Sequence, residues 1–204
     1  MITITGQAAE VSASGLDAMV NLPIAAYDRD DEVTPIAMTT SDALGNYTLT
    51  IPTSGKPFDG YIKARPQGQD YVETYLYLPG TLSASYDGAP VRVATSFTLG
   101  LLDDFCSSSQ LAGNGTLVAL ATDAAHTPVA GATFSTTPAA NKYCYNDQQG
   151  QPDAVQLRTN TDGVGYMFNV TGPTTLSAMK TGTTFQSRSV TVRPDVVTLV
   201  MVAP

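Results

Sequence analysis

A turn followed by a strictly alternating strand occurs twice in this chain, and this pattern constrains the fold more than any other feature. The turn at Asp42–Gly45 leads into a strand at Tyr47–Ile51, and the turn at Asp162–Gly165 leads into a strand at Tyr166–Val170. Alternation of larger and smaller or polar residues is typical of a strand with one buried face. The two copies lie about 110–120 residues apart, which is too long for a solenoid repeat and predicts a duplicated domain.

Each of these strands is expected to direct its larger side chains into the interior of a β-sandwich. The composition agrees, because only 14% of the residues are charged, whereas about 25% is usual, and the polar remainder is rich in threonine. Threonine is β-branched and favours strands, while 13 prolines and 17 glycines supply frequent turns. The chain is therefore predicted to be all-β. The side chains expected to point inward are Tyr47, Leu49, Ile51, Tyr166, Phe168 and Val170.

The middle of the chain differs from the strand-rich parts on either side. Apolar residues follow a near-helical spacing over Thr98–Cys106, and Ser107–Gly115 is loop-like. These features predict a first β-sandwich over residues 1–95, a short helix and linker over 96–114, and a second β-sandwich over 115–204.

The order of these patterns resembles the carboxypeptidase regulatory-like, or transthyretin-like, β-sandwich. The second half carries the closer match, at Thr127–Phe134, Thr161–Gly172 and Val190–Val202, and the first half matches at Gly45–Ile51 and Gly60–Pro79. The whole arrangement resembles uncharacterised exported bacterial proteins. The resemblance implies two tandem Greek-key, transthyretin-like β-sandwich domains joined by a short helical connector. Its motifs are structural turns, so it implies no activity.

Enzymes related to this β-sandwich need several histidines, and the chain has one, His126. Zinc carboxypeptidases, intradiol dioxygenases and hydroxyisourate hydrolases are excluded on this count. His126 precedes Thr127-Pro128 and is interpreted as an exposed turn residue, with a catalytic base or a lone metal ligand as alternatives. No nucleophile elbow or phosphate-binding glycine loop occurs. The chain is predicted not to be an enzyme.

The charge distribution excludes two classes of partner. The net charge is −8, and the ten basic residues are scattered singly, so no basic face exists for nucleic acid or for a polybasic membrane anchor. No apolar run approaches the roughly 20 residues of a membrane span. No signal segment precedes the first strand, which fits either a cytosolic protein or one whose signal segment is absent from this chain. The low-charge, threonine-rich composition favours an extracytoplasmic location, whether secreted, periplasmic or surface-bound.

An acidic loop is a candidate metal site, and no other cofactor is expected. Its carboxylates could supply several of the six to eight oxygens that calcium takes. The loop has no EF-hand spacing and contains Arg29, so a solvated hairpin tip is the competing interpretation. The four carboxylates belong to Asp28, Asp30, Asp31 and Glu32.

Cys106 and Cys144 are the only cysteines. In an exported protein an even number permits a disulfide, here between the connector and a long loop of the second domain. Two buried free thiols, or a metal pair lacking its other ligands, are the alternatives.

Several tyrosines are predicted to share the outer face of one sheet. In the segment Tyr71–Leu78, the alternate residues Val72, Leu76 and Leu78 form the more apolar set and are expected to face the core. Exposed tyrosine rings could stack on a sugar, so the strip is a candidate binding platform. The alternatives are packing against the connector or the second domain, or an inverted strand phase. The strip comprises Tyr61, Tyr71, Tyr75 and Tyr77.

Together these features predict a non-catalytic exported or surface-associated protein that acts as a structural, spacer or adhesion module, with a protein or glycan at the cell surface as its partner. The alternative is a carbohydrate- or small-ligand-binding module that uses the exposed tyrosine strip.

Overall fold

A computed structural model describes residues 1–12, 15–68 and 70–204, which form two compact units, Met1–Thr98 and Leu99–Pro204. Strands account for 50% of the chain and helix for 5%, so the predicted all-β class is confirmed. The Greek-key, transthyretin-like topology and the connector role of the helix stay predictions, as do the predicted domain ranges.

Unit 1, Met1–Thr98, is built around its first strand. Its strands are β1 (Ile2–Ser12), β2 (Gly15–Ala18), β3 (Pro23–Asp28), β4 (Ala37–Thr40), β5 (Asn46–Ile51), β6 (Gly60–Ala64), β7 (Tyr71–Val72), β8 (Thr74–Tyr77) and β9 (Val91–Thr95). In one sheet β1 is antiparallel to β5 along its first half and to β2 along its second half, and it is parallel to β9, which carries β7. The other sheet has the order β8, β6, β3, β4.

Strand β5 shows why the alternating pattern specifies a sandwich. Tyr47, Leu49 and Ile51 are 3%, 0% and 1% exposed, whereas the residues between them face solvent. The predicted inward face of this strand is confirmed. Full burial of each such side chain contributes about 1.5–3 kcal/mol. The phenol of Tyr47 also donates a hydrogen bond to the Ala89 carbonyl at 2.9 Å.

Unit 2, Leu99–Pro204, repeats the two-sheet plan. A helix, α1 (Ser96–Phe105), begins in the last residues of unit 1, where Thr95 Oγ1 accepts a hydrogen bond from the Thr98 N–H at 3.1 Å and caps it. One sheet has the order β13, β12, β14, β10, β18, and in the other β15 pairs with β11, β16 and β17. The strands are β10 (Gly115–Ala121), β11 (Thr133–Thr137), β12 (Lys142–Asn146), β13 (Pro152–Asp153), β14 (Val164–Val170), β15 (Gly172–Lys180), β16 (Thr183–Thr184), β17 (Arg188–Val192) and β18 (Val197–Val202).

Both units contain a buried side-chain hydroxyl, Ser41 or Thr159, that bridges a backbone N–H and a backbone carbonyl; we call this arrangement the hydroxyl latch. In unit 1, Ser41 Oγ accepts a hydrogen bond from the Leu22 N–H at 2.9 Å and donates one to the Met19 carbonyl. In unit 2, Thr159 Oγ1 accepts from the Ala132 N–H at 2.9 Å and donates to the Val129 carbonyl at 2.8 Å. The backbone around it matches too, because Asn21 and Gly131 both have positive φ and donate to the carbonyls of Ser41 and Thr159.

The latch fixes how the two repeated segments correspond. Gly45 and Gly163 both have positive φ, and a side chain on either would collide with a backbone carbonyl of the first strand of its unit, at Ala8 or Ala121. Gly45 therefore corresponds to Gly163 and not to Gly165, which corrects the predicted alignment of the turns. It follows that Tyr47 corresponds to Gly165.

This register reverses the predicted phase of β14 at Tyr166 and Phe168, whereas Val170, beyond a register shift between Gly115 and Leu117, is buried as expected, at 4% exposed. The space above Gly165 is filled by the rings of Phe134 and Tyr145, which lie 6.0 Å apart. Phe168 is fully buried, as predicted, but it packs against Leu102 of α1 and the two cysteines, with Tyr166 beside it. Tyr166 and Phe168 therefore lie on the face of the sheet that carries the helix, and their expected place between the two sheets was wrong.

Candidate functional site

Three of the four predicted strip tyrosines form a cluster with a fourth ring on β3, β6 and β8. Tyr61 lies at its centre, with ring centroids 5.4 Å from Tyr27, 5.6 Å from Tyr75 and 5.5 Å from Tyr77. The rings of Tyr27 and Tyr61 are nearly parallel, at 9°, because the two residues are directly paired on neighbouring strands. Aromatic pairs at this distance contribute about 0.5–1.5 kcal/mol beyond their buried area.

Charged residues continue the same face beyond the rings. Glu73 binds Lys63 at 2.9 Å and Arg65 at 2.7 Å, and the phenol of Tyr75 donates to the same carboxylate at 3.2 Å. The Lys63 ammonium also lies 4.9 Å from the centre of the Tyr75 ring. Burial by itself would raise the pKa of Glu73, but the hydrogen bonds from Lys63 and Arg65 outweigh it and lower that pKa. The two cations of this group therefore share one carboxylate.

The cluster does not present an exposed platform. Tyr61, Tyr75 and Tyr77 are 1%, 6% and 2% exposed, so their faces are unavailable for stacking on a sugar. Tyr71 is not part of the cluster, because β7 pairs with β9 in the other sheet, where the Tyr71 phenol donates to Glu10 at 2.6 Å. The predicted strand over Tyr71–Leu78 is thus split at Glu73 between two sheets, and the predicted exposed strip is corrected to a buried cluster.

The acidic loop forms turns in which backbone N–H groups donate to its carboxylates. Asp28 accepts a hydrogen bond from the Asp30 N–H, and Asp31 accepts from the N–H groups of Val33 and Thr34. These backbone hydrogen bonds, the one from Thr34 first, lower the pKa of Asp31. Within residues 1–12, 15–68 and 70–204, no group of three or more His, Cys, Asp or Glu side chains is placed to hold a metal ion. The structure therefore does not gather Asp28, Asp30, Asp31 and Glu32 into a calcium site.

His126 lies in an exposed turn of unit 2. Its φ is +63°, and its N–H donates to the Asp123 carbonyl at 3.1 Å. Asp123 Oδ1 also accepts from the N–H groups of Ala125 and Thr127, which closes the turn. The position matches the interpretation of His126 as an exposed turn residue.

Cys106 and Cys144 form a disulfide in unit 2. The bond joins the residue that follows α1 to β12, across a sequence separation of 38 residues. Both cysteines are 0% exposed and pack with Leu102 and Phe168. The disulfide therefore anchors the helix on the sheet.

In each unit the strand that opens the fold lies beside the strand that closes it, and the two run parallel. In unit 1, Ala8–Glu10 pair with Val91–Val93, and the segment before β9 extends the contact, since the Thr5 N–H donates to the Tyr86 carbonyl at 2.9 Å. In unit 2, Thr116–Ala121 pair with Val197–Val202 along the full length of β18. This shared arrangement is the strongest candidate for a functional feature.

Sequence reasoning missed the parallel pairing and the role of Tyr27. Nothing local predicts which strand pairs with β10, although the nearly unbroken apolar run Val197–Val202 is typical of a strand covered on both faces, and all six residues are buried. Tyr27 precedes the acidic loop, and nothing in the local sequence relates it to the tyrosine strip. Its position next to Tyr61 follows from the antiparallel register of β3 and β6.

Comparison with known proteins yields weak structural similarities only. No family model matches the chain, and no curated protein matches it. A minor pilin of Streptococcus agalactiae is 11% identical over 100% of this chain and 95% of its own, with a TM-score of 0.33. A shaft pilin of Lactobacillus rhamnosus is 12% identical over 100% and 97%, with a TM-score of 0.30. The Bacillus anthracis TIE protein is 14% identical over 98% of this chain, with a TM-score of 0.29, and this chain spans 33% of its length. These scores are too low to support a conclusion about topology or function.

No helix in the described residues is both long enough and apolar enough to cross a membrane.

Proposed function

We propose that this chain is a non-catalytic structural module that bears tension at an extracytoplasmic surface. The observation that carries the proposal is the parallel pairing of the opening and closing strands in both units. In a parallel pair, the start of one strand and the end of the other lie at opposite ends of the ladder. Tension applied through the chain therefore pulls the two strands along their axes in opposite directions.

This direction of loading is the one that a β-ladder resists best. The hydrogen bonds run across the strands, so sliding one strand past the other strains many of them at the same time. Pulling apart two strands from the same end would instead break the bonds one by one. Resistance to forced unfolding depends on the rate of unfolding, so a high barrier along this direction is what a load-bearing module needs.

The disulfide supports the extracytoplasmic part of the proposal. Disulfides form and persist in oxidising compartments and are rare in the cytosol. The bond between Cys106 and Cys144 is fully buried and holds a helix in place, as expected of a structural disulfide. Burial of Tyr61, Tyr75 and Tyr77 removes the basis for a sugar-binding platform, so no ligand is proposed there.

Single-molecule force spectroscopy tests the proposal. The chain is tethered at residues 1 and 204 and stretched at constant speed. We expect two separate unfolding events, one for each unit, each at a well-defined force peak. Gradual extension without resolved peaks would contradict the proposal.

A further inference from the structure

The disulfide lies across the path that tension takes through unit 2. Cys106 follows the end of α1, and Cys144 lies in β12. The residues between them, 107–143, include β10 and β11. Once unit 2 has unfolded, the intact bond carries tension that arrives through α1 directly from Cys106 to Cys144, so this loop is not stretched.

We infer that the buried disulfide is a two-stage extension lock, which first limits how far unit 2 can lengthen and then opens to a thiol reductant only after the unit has unfolded. This inference rests on the proposed load-bearing function. A small-molecule or protein thiol is the agent that releases the second stage.

Burial separates the two stages. Both cysteines are 0% exposed, and Leu102 and Phe168 pack around them, with Leu99 and Tyr166 at the edge of the cluster. Thiol–disulfide exchange requires direct attack of a thiolate on a disulfide sulfur. In the folded unit these side chains block the approach. Unfolding moves α1 away from β14 and exposes both sulfurs while the bond still joins them.

The release step is an ordinary two-electron exchange. A thiolate of the reductant attacks one protein sulfur, the protein S–S bond breaks, and the other cysteine leaves as a thiolate that takes a proton from water. A second thiolate of the reductant then attacks the mixed disulfide and frees the first cysteine. The protein disulfide is reduced to two thiols, and the reductant is oxidised to its disulfide.

The length of chain that the disulfide keeps from extending follows from the positions of the two cysteines. A stretched chain spans about 3.3–3.6 Å per residue, so the 38-residue separation corresponds to about 130 Å, against a Cα–Cα distance of 5.7 Å when the bond is intact. The first stage should therefore be about 130 Å shorter than the length of unit 2 would allow. Unit 1 contains no cysteine and provides an internal control.

A force-clamp experiment on the full chain tests the lock, with dithiothreitol as the reductant. The oxidised protein should unfold unit 2 in a short step and then, with dithiothreitol present, extend by a further 130 Å or so at a rate proportional to its concentration. Dithiothreitol should leave the disulfide intact in folded, unstretched protein, as measured by mass spectrometry after rapid alkylation. The double variant Cys106→Ala, Cys144→Ala should release the whole length in one step, and the unit 1 step should not change.

Two results would overturn the lock: reduction of the folded protein by dithiothreitol, or no late step of about 130 Å when the unfolded, initially oxidised protein is held under force with dithiothreitol present. Both of these measurements use the unaltered chain, so the test stands even if the double variant fails to fold. Failure of the load-bearing function would look different: the late step would still appear in the force-clamp record, but the constant-speed record would show no force peak for unfolding.

Discussion

The two buried hydroxyl latches make a matched pair of perturbations. Ser41→Ala removes a hydroxyl that is 2% exposed and leaves the Leu22 N–H and the Met19 carbonyl without their partner. Thr159→Val does the same in unit 2 for Ala132 and Val129, with nearly the same side-chain shape.

The expected magnitude follows from these contacts. An unpaired buried donor costs about 1–3 kcal/mol, and loss of the second hydrogen bond adds about 1 kcal/mol. Each variant should therefore lower the free energy of unfolding of its own unit by about 2–4 kcal/mol. Because a domain is stable by only about 5–15 kcal/mol, this change is large enough to measure without ambiguity.

Native-state hydrogen exchange, read by mass spectrometry, reports each unit through its own peptides. Ser41→Ala should increase exchange in residues 1–98 and Thr159→Val in residues 99–204. The exposed controls Ser135→Ala and Thr48→Val should change stability by less than about 0.5 kcal/mol. If the latch variants behave like these controls, the hydroxyls do not stabilise the two units through these hydrogen bonds.

Three further predictions concern packing and pH. Gly6→Ala should lower the melting temperature strongly, because its Cβ would lie 1.9 Å from the Ala89 carbonyl oxygen. The control Gly100→Ala in α1, where nothing lies within 4 Å, should leave the melting temperature equal or higher. Equal effects of the two variants would contradict the close approach of the opening strand to Ala89. Tyr61→Ala should cost about 3–5 kcal/mol in urea denaturation, while the exposed Phe97→Ala should cost less than about 0.5 kcal/mol, and a neutral Tyr61→Ala would mean that the tyrosine cluster is open. Burial raises the pKa of Tyr47, so the unfolded chain loses this proton at lower pH than the folded one, and stability falls as the pH rises above about 10. Tyr47→Phe should flatten the fall in unfolding free energy measured between about pH 8 and 11.5. An unchanged slope would refute the raised pKa of Tyr47.

Local pattern was sufficient for β5 and insufficient for the segment Tyr71–Leu78. In β5 the alternation and the burial agree residue by residue, because one face meets the core and the other meets solvent. The segment Tyr71–Leu78 alternates just as well, yet its first two residues pair with β9 and residues 74–76 pair with β6. Alternation shows which residues share a face, but it does not show which strand lies alongside.

The phase of β14 was mistaken for a similar reason. Gly165 has no side chain, and the space above it is filled by Phe134 and Tyr145 from strands that are distant in the sequence. The large residues Tyr166 and Phe168 then face a helix that the pattern could not place. The candidate feature itself, a parallel pair of opening and closing strands, is a long-range contact between apolar segments and carries no local motif.

The direction of loading provides the most direct test of the load-bearing function. Ala125 lies in an exposed turn just after β10, and the neighbouring Thr122 N–H donates to the Val202 carbonyl at 2.9 Å, so residues 125 and 204 lie at the same end of the β10–β18 pair. In the variant Ala125→Cys the native cysteines remain bonded, and the new thiol is the single attachment point for a DNA handle.

Unit 2 of this variant is stretched either between residues 1 and 204 or between residues 125 and 204, at the same loading rate. In the first geometry the load enters the sheet at β10 and, through the disulfide, at β12, and it draws β18 along its axis past β10. The second geometry peels the two strands apart from one end. The load-bearing account predicts an unfolding force several-fold higher for the first geometry. Equal forces in the two directions would contradict it.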